Sequence, residues 1–300
     1  MRKVRAAFRL ALLGAALTLS LAARAQPDGI AELRGARDPA LQRGLERVVR
    51  ELGLEKAVDA GRLSLALVDV SRADEPRLAM LNGDELVYAA SLPKIAILFG
   101  ALVEAERGRL PINEQTIGAM TNMIRYSSNS DASNVLNWIG GERLLEILQS
   151  DRYKFYDSQG KGGLWVGKTY GRQAPYHPDP LRNLSHAATA FQVARLYYLL
   201  ANGRLLSPSS NALMMDVLSN PGIHHKFVKA LDAVPGAHIF RKSGTWRNYH
   251  ADSALVEYAG YRYIMVGLAE DPHGGEWLVR LGARMHALIV DPVRAAAASH

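Results

Sequence analysis

Ser91-Leu92-Pro93-Lys94-Ile95-Ala96-Ile97-Leu98-Phe99-Gly100-Ala101-Leu102-Val103-Glu104 is where the chain changes its hydrophobic period. Ile95, Leu98, Phe99, Leu102 and Val103 recur at helical spacing, in a stripe wide enough to be buried on most sides. A helix reaching about Gly108, central to the molecule, is predicted. Pro93 is tolerated only in a first turn, so Ser91 is expected at the helix N-terminus. There, free backbone N–H groups and the macrodipole favour developing negative charge. Positions i and i+3 share a helix face, so the Lys94 amine can reach the Ser91 hydroxyl, whose proton must leave if that oxygen is to attack.

Upstream, Leu41, Leu45, Val48, Val49 and Leu52 mark an amphipathic helix closed by Gly53. Leu63, Leu65 and Leu67 alternate with smaller residues up to Val70, and Arg77 to Leu81 runs into the turn pair Asn82-Gly83, which predicts two antiparallel strands. Downstream, residues 114–149 and 185–218 read as helices, the latter interrupted at Asn202-Gly203. Strands are expected over His238 to Arg241, Ala251 to Tyr258 and Tyr261 to Ala269, with a hairpin at Ala259-Gly260, followed by a helix from about Trp277 to Val290. This order implies an α+β protein in which both chain ends build one antiparallel sheet around an inserted helical part. The sheet-bearing part is expected at about 38–90 and 219–292 and the helical part at about 91–218, within a single domain over 26–292.

Two further polar clusters share the chemistry of Ser91 and Lys94. Ser127-Ser128-Asn129 lies between two apolar helical stretches, and Lys242-Ser243-Gly244-Thr245 lies on a strand near the end. Each alone reads better as a cap, a turn or a solvated strand end than as a catalytic motif. The order S-x-x-K, S-x-N, K-[ST]-G resembles the active-site set of class A β-lactamases and penicillin-binding proteins. Tyr126 to Asn134, followed by Ile139-Gly140-Gly141, extends the likeness, which runs loosely from about residue 38 to 290.

The resemblance implies a five-stranded antiparallel sheet flanked by helices, with an all-helical subdomain inserted. It implies Ser91 as acyl-accepting nucleophile, Lys94 as its base and Ser127 as the relay to the departing nitrogen. Lys242 then holds Ser127 and, with Ser243 and Thr245, attracts a substrate carboxylate, while Asn129 and Gly244 complete the binding set. Backbone N–H groups of Ser91 and Thr245 are the expected oxyanion donors. The partner is a small β-lactam or a cell-wall peptide, with D-alanyl-D-alanine carboxypeptidase activity or silent wall-peptide binding as the alternatives. No cofactor or metal is expected.

Departures from the family pattern bear on turnover. The interval from Ser91 to Ser127 is short, and no glutamate lies between Glu146 and Glu257, where class A enzymes carry the base of deacylation. Slow hydrolysis of the acyl-enzyme is expected. Asp179-Pro180 resembles the missing loop motif faintly and otherwise reads as an Asp-Pro turn. An insert from Arg152 to Pro178 carries Tyr153, Phe155, Tyr156, Trp165, Tyr170 and Tyr176, fitting either a substrate lid or a self-packed loop. Within it, Ser158-Gln159-Gly160-Lys161 repeats S-x-x-K among glycines, which predicts a loop rather than a helix.

Arg2, Lys3, Arg5 and Arg9, the apolar run Leu10 to Ala22 and Ala23-Arg24-Ala25 read as a signal peptide over 1–25, cut at Ala25/Gln26, rather than a membrane anchor. Export to the periplasm or medium follows. Five cations and no acid precede the cut, so the formal charge of +7 falls to +2 in the remainder. Scattered basic residues at that charge leave no footprint for nucleic acid. The absence of cysteine excludes disulfides, a thiol nucleophile and a lipobox. His224-His225, His250 and His273 match no metal-ligand spacing, and Arg280 and Arg284 read as a solvated face. The Ala-rich tail over 293–300 is expected to be disordered.

Overall fold

Leu63, Leu65 and Leu67 enter one core face and Ser64, Ala66 and Val68 the other, so the strand they form is buried along its whole length. A strand covered on both sides needs a layer above and a layer below. The computed structural model describes residues 32–171 and 176–290; the expected signal peptide and the Ala-rich tail lie outside them. In chain order the elements begin with α1 (Pro39–Glu51), α2 (Glu55–Asp59), β1 (Leu63–Asp69), β2 (Arg77–Leu81), β3 (Val87–Tyr88) and α3 (Lys94–Glu106). Next come α4 (Glu114–Arg125), α5 (Asn129–Ile139), α6 (Gly141–Gln149), β4 (Tyr156–Asp157), β5 (Gly162–Gly163), β6 (Trp165–Val166) and β7 (His186–Ala188). The chain continues with α7 (Ala190–Ala201), α8 (Pro208–Leu218), α9 (Phe227–Leu231), β8 (His238–Trp246), β9 (Tyr249–Tyr258), β10 (Tyr261–Glu270) and α10 (Gly274–Val290).

Five strands form an antiparallel sheet in the order β2-β1-β10-β9-β8. β1 pairs with β10 in the register Leu67↔Met265, so both ends of the chain close one sheet around the intervening helices. Leu45 and Val48 of α1 and Leu281 and Met285 of α10 pack on Leu63, Leu65 and Leu67. Each such buried leucine contributes about 2 kcal/mol. Tyr197 of α7 donates to the Ser253 carbonyl, and Ser253 alternates with Ala254 of that core, so α7 covers the opposite face. β8 is left at the edge of the sheet.

The helix expected from Ser91 begins three residues later. Ser91 to Pro93 form a tight turn closed by Lys94 N–H to Ser91 O (3.3 Å) and Ile95 N–H to Leu92 O (3.1 Å). Proline pushes the preceding residue out of the α region, so the start is wound as i→i+3 bonds. From Lys94 to Glu104 every residue is buried, in accord with the central position expected.

The helical stretch 114–149 divides at Ser127 (φ 58) and Gly140 (φ 86), both in the left-handed region. Residues 185–218 open with strand β7, which pairs with β3 and β6, before Thr189 caps α7 by accepting from Gln192 N–H. His186-Ala187-Ala188 has no alternating pattern, and tertiary pairing overrides its weak local preference. The mainly helical middle of the chain therefore also carries short strands.

The described part of the insert packs partly on itself and partly on the helices beneath it. Tyr153 and Phe155 meet Phe99 of α3 edge-on, at 4.8 and 5.3 Å between ring centroids. Tyr156 packs on Trp165, whose indole donates to His177 O. Among the described residues no helix is long and apolar enough to cross a membrane.

Candidate active site

Three pieces of backbone converge at the N-terminal end of α3: the Ser91 turn, the α4–α5 corner and the edge strand β8. Gly244 shows how closely they approach. A Cβ there would lie 2.3 Å from Ala89 O, 2.7 Å from Ser91 N and 2.8 Å from Leu92 N, so only glycine lets β8 lie against the turn. Ala90 (φ 51), next to Ser91, and Ser127 itself (φ 58) hold left-handed conformations. Such strain persists where the surroundings over-determine it and is common at functional sites.

Lys94 is fully buried and its ammonium is spent on this corner. Nζ donates to Ser127 O (2.6 Å), Asn129 Oδ1 (2.7 Å) and, more weakly, Ser127 Oγ (3.4 Å). From β8, buried Lys242 donates to Ser127 Oγ (3.0 Å) and Ser243 O (2.7 Å). Two amines therefore meet on one hydroxyl. Burial lowers Lys94 to about 7. Burial first, then the Lys94 and Arg241 charges, pushes Lys242 well below the usual lysine range.

A third buried amine, not foreseen from sequence, stands behind β8. Lys226 donates to Gly244 O (2.6 Å), Thr245 Oγ1 (2.8 Å) and Ala251 O (3.1 Å), and burial lowers it to about 8. Nothing in His224-His225-Lys226 marks it in sequence; its left-handed backbone (φ 54) turns it inward. Arg241 and Asp252, both buried, form a bidentate pair at 2.7 and 2.9 Å. Asp252 also accepts from Phe227 N–H and Ser253 N–H. Breaking such a pair costs about 3–5 kcal/mol. Three buried basic side chains, Lys226, Arg241 and Lys242, share the single carboxylate of Asp252, so the neighbourhood favours an anionic guest.

A cavity of 750 Å³ opens in front of this cluster, lined by Ser91, Asn129, Tyr170, His186, Thr245 and Trp246 among others. All eight site residues expected from sequence are thus in or against one cleft. Ser91, Asn129 and Thr245 face the cavity. Lys94 and Lys242 are joined through Ser127 behind it, while Ser243 and Gly244 precede Thr245 on β8, Gly244 against the Ser91 turn.

A sequence profile described as the beta-lactamase enzyme family matches residues 117–289, more than half of the chain. The chain belongs to the beta-lactamase enzyme family. The matched segment includes Ser127, Asn129 and Lys242 and stops short of Ser91 and Lys94. Solved structures with the same fold include a mutant of PBP-A in an acyl-enzyme complex with penicillin G, at 18% identity and TM-score 0.62 over 83% of this chain and 96% of that one. A beta-lactamase from Sphaerobacter thermophilus matches at 16% identity and TM-score 0.62, covering 82% of this chain and 96% of that one. An ancestral class A beta-lactamase matches at 18% and 0.62, covering 83% and 100%. Comparison with curated proteins finds no match.

Against that family background, Asp179 has a local use. Its oxygens accept from Tyr156 OH (2.9 Å) and from the backbone N–H groups of Leu181, Arg182 and Leu184. This buried carboxylate holds the loop's own turn, the Asp-Pro reading made from sequence. Ser158 to Lys161 form the turn between β4 and β5, and Lys161 pairs with Asp84 at 2.7 Å.

Proposed function

We propose that this protein is an exported serine hydrolase of the beta-lactamase family that forms an acyl-enzyme on Ser91 with a β-lactam or cell-wall peptide amide. The observation that carries the reading is the meeting of Lys94 and Lys242 on Ser127 Oγ, at 3.4 and 3.0 Å, behind a cleft lined by Ser91. An amine held near 7 is largely unprotonated just above neutrality and can take a hydroxyl proton.

In this reading the Ser91 oxygen bonds to the carbonyl carbon while Lys94 accepts its proton. The carbonyl oxygen gains charge between the Ser91 and Thr245 N–H groups, each worth about 3 kcal/mol to the transition state. As the C–N bond breaks, Ser127 passes a proton to the leaving nitrogen and is re-protonated from the lysines bonded to it. Lys242, Ser243 and Thr245, backed by Lys226, attract the substrate carboxylate. Asn129 holds Lys94 and faces the substrate.

Deacylation has no comparable machinery. The chain lacks a glutamate in the relevant interval, and the oxygens of Asp179 are taken up by its own loop. A base in that role is typically worth a factor of about 10² to 10⁴. The acyl-enzyme should therefore persist, so penicillin binding is favoured over rapid β-lactam hydrolysis. The PBP-A mutant held as a penicillin G acyl-enzyme lends support by fold. The test is intact mass spectrometry of the mature protein with benzylpenicillin: a stable adduct on Ser91 is expected. Absence of any Ser91-dependent adduct across several β-lactams would defeat the reading, and rapid hydrolysis of nitrocefin without accumulation would defeat its second half.

A further inference from the structure

The insert carries a residue that neither the family resemblance nor the acylation steps require. Tyr170 lies over the Lys94 ammonium, 4.4 Å from Nζ to the ring centroid. Its N–H donates to Ser133 Oγ of α5 (3.0 Å) and its hydroxyl reaches Ala90 O (3.4 Å), so the ring spans the gap between the α5 helix and the Ser91 turn. From behind, the buried His186 ring lies 4.2 Å away, tilted at 36°. His186 is itself anchored to Lys168 O (3.1 Å) and Ser185 Oγ (3.2 Å).

Lys94 Nζ is thus held between the α4–α5 corner and the insert. Ser127 O and Asn129 Oδ1 take its strong hydrogen bonds, Lys242 lies across Ser127 Oγ, and the tyrosine ring closes the side toward the cavity. A ring accepts a cation's field but offers a water no acceptor of carboxylate strength. We propose that Tyr170 is a positioning residue that walls Lys94 off from water, keeping the amine available for acylation while denying a hydrolytic water a place beside it. This rests on Ser91 acylation as the protein's function.

The titratable groups facing Lys94 are Lys242 of β8, His186 of β7 and Tyr170 itself. Burial disfavours the Lys94 ammonium, and His186, lowered to about 4 by its own burial, is neutral near pH 7 and adds no charge. Removing the ring forfeits its weak hold on the ammonium but readmits water on one side, and water solvates an ammonium more strongly than a ring does. Lys94 then moves up toward its ordinary value of 10.5, by about one pH unit, because desolvation is the cause that is relieved.

The test uses the mature protein with isotope-labelled lysine, as wild type, Tyr170→Ala, Tyr170→Leu and Tyr170→Phe. The Lys94 titration midpoint is read by NMR, the pH profile of acylation with a fluorescent penicillin, and adduct lifetime by mass spectrometry. In Tyr170→Ala the midpoint should rise about one unit, the acid limb of acylation should move with it, and the adduct should decay about tenfold faster, less than the factor of about 10² that a well-placed base brings. Tyr170→Leu should fall between, and serves if the alanine variant does not fold. Tyr170→Phe should match wild type. Unchanged midpoint and lifetime in both the alanine and leucine variants would overturn the proposal, as would a phenylalanine variant that behaves like alanine, since the hydroxyl would then carry the effect. Failure of wild type to acylate at all refutes the functional reading instead, and the NMR midpoints still decide whether the ring walls Lys94.

Discussion

Ser91-Leu92-Pro93-Lys94 and Ser158-Gln159-Gly160-Lys161 have the same spacing and meet entirely different fates. The first runs from a proline-wound turn into a helix buried from Lys94 to Glu104, and its lysine has no contact with water. The second is a hairpin turn between two short strands, and its lysine, 65% exposed, pairs with Asp84 on the surface. In the first case the amine must find partners inside the protein and finds them on Ser127 and Asn129. Water and a surface carboxylate satisfy the second. Chemistry at S-x-x-K comes from what surrounds the lysine, and the spacing only permits it.

The contrast is broken most directly at the serines. Ser91→Ala should abolish labelling by fluorescent penicillin, read on a denaturing gel. Acyl group recovered on a peptide containing Ser158 would reverse the assignment. Next in size, Lys94→Ala should slow acylation by about 10² to 10⁴, the usual worth of a general base. Measured as the second-order rate with benzylpenicillin, a loss under tenfold would remove Lys94 from that role.

The pH dependence sharpens the same point. Lys94 must be neutral to accept a proton, and burial brings it from 10.5 to about 7. Its charged form therefore dominates below pH 7, so the acylation rate should fall about tenfold per pH unit there and level off above. A lysine with an ordinary value would keep the rate climbing to about pH 10, and that profile would mean Lys94 is solvated like Lys161.

Smaller still is the effect of crowding the strand. Gly244→Ala places a methyl against Ala89 O and two backbone nitrogens, and should cost about 1–3 kcal/mol of stability by overpacking, with slower acylation. Thermal denaturation reads the first and labelling the second; a variant unchanged in both would show that β8 lies farther from the Ser91 turn. Least of all, Lys161→Ala removes a surface ion pair worth about 0–1 kcal/mol. Acylation should be unaffected, and a measurable loss would connect the hairpin to the cleft.

Much of the architecture was legible in local pattern. The alternation at Leu63 to Val70, the stripe from Ile95 to Val103 and the turn at Ala259-Gly260 each report which face must leave water, and the strands and helices form there. The three polar motifs also lie together at one cleft, as their order implied. Sequence alone did not show that Ser91 precedes the helix in a turn, that His186 to Ala188 pair as a strand, or that Asp179 spends its oxygens on its own loop. Lys226 and Tyr170 had no motif at all. The reason is range: period and capping act over a few residues and are written along the chain. The burial of Lys94, the approach of Gly244 to Ser91 and the ring over the ammonium join residues 33 to 153 positions apart, and only the packed fold brings them within a few ångströms.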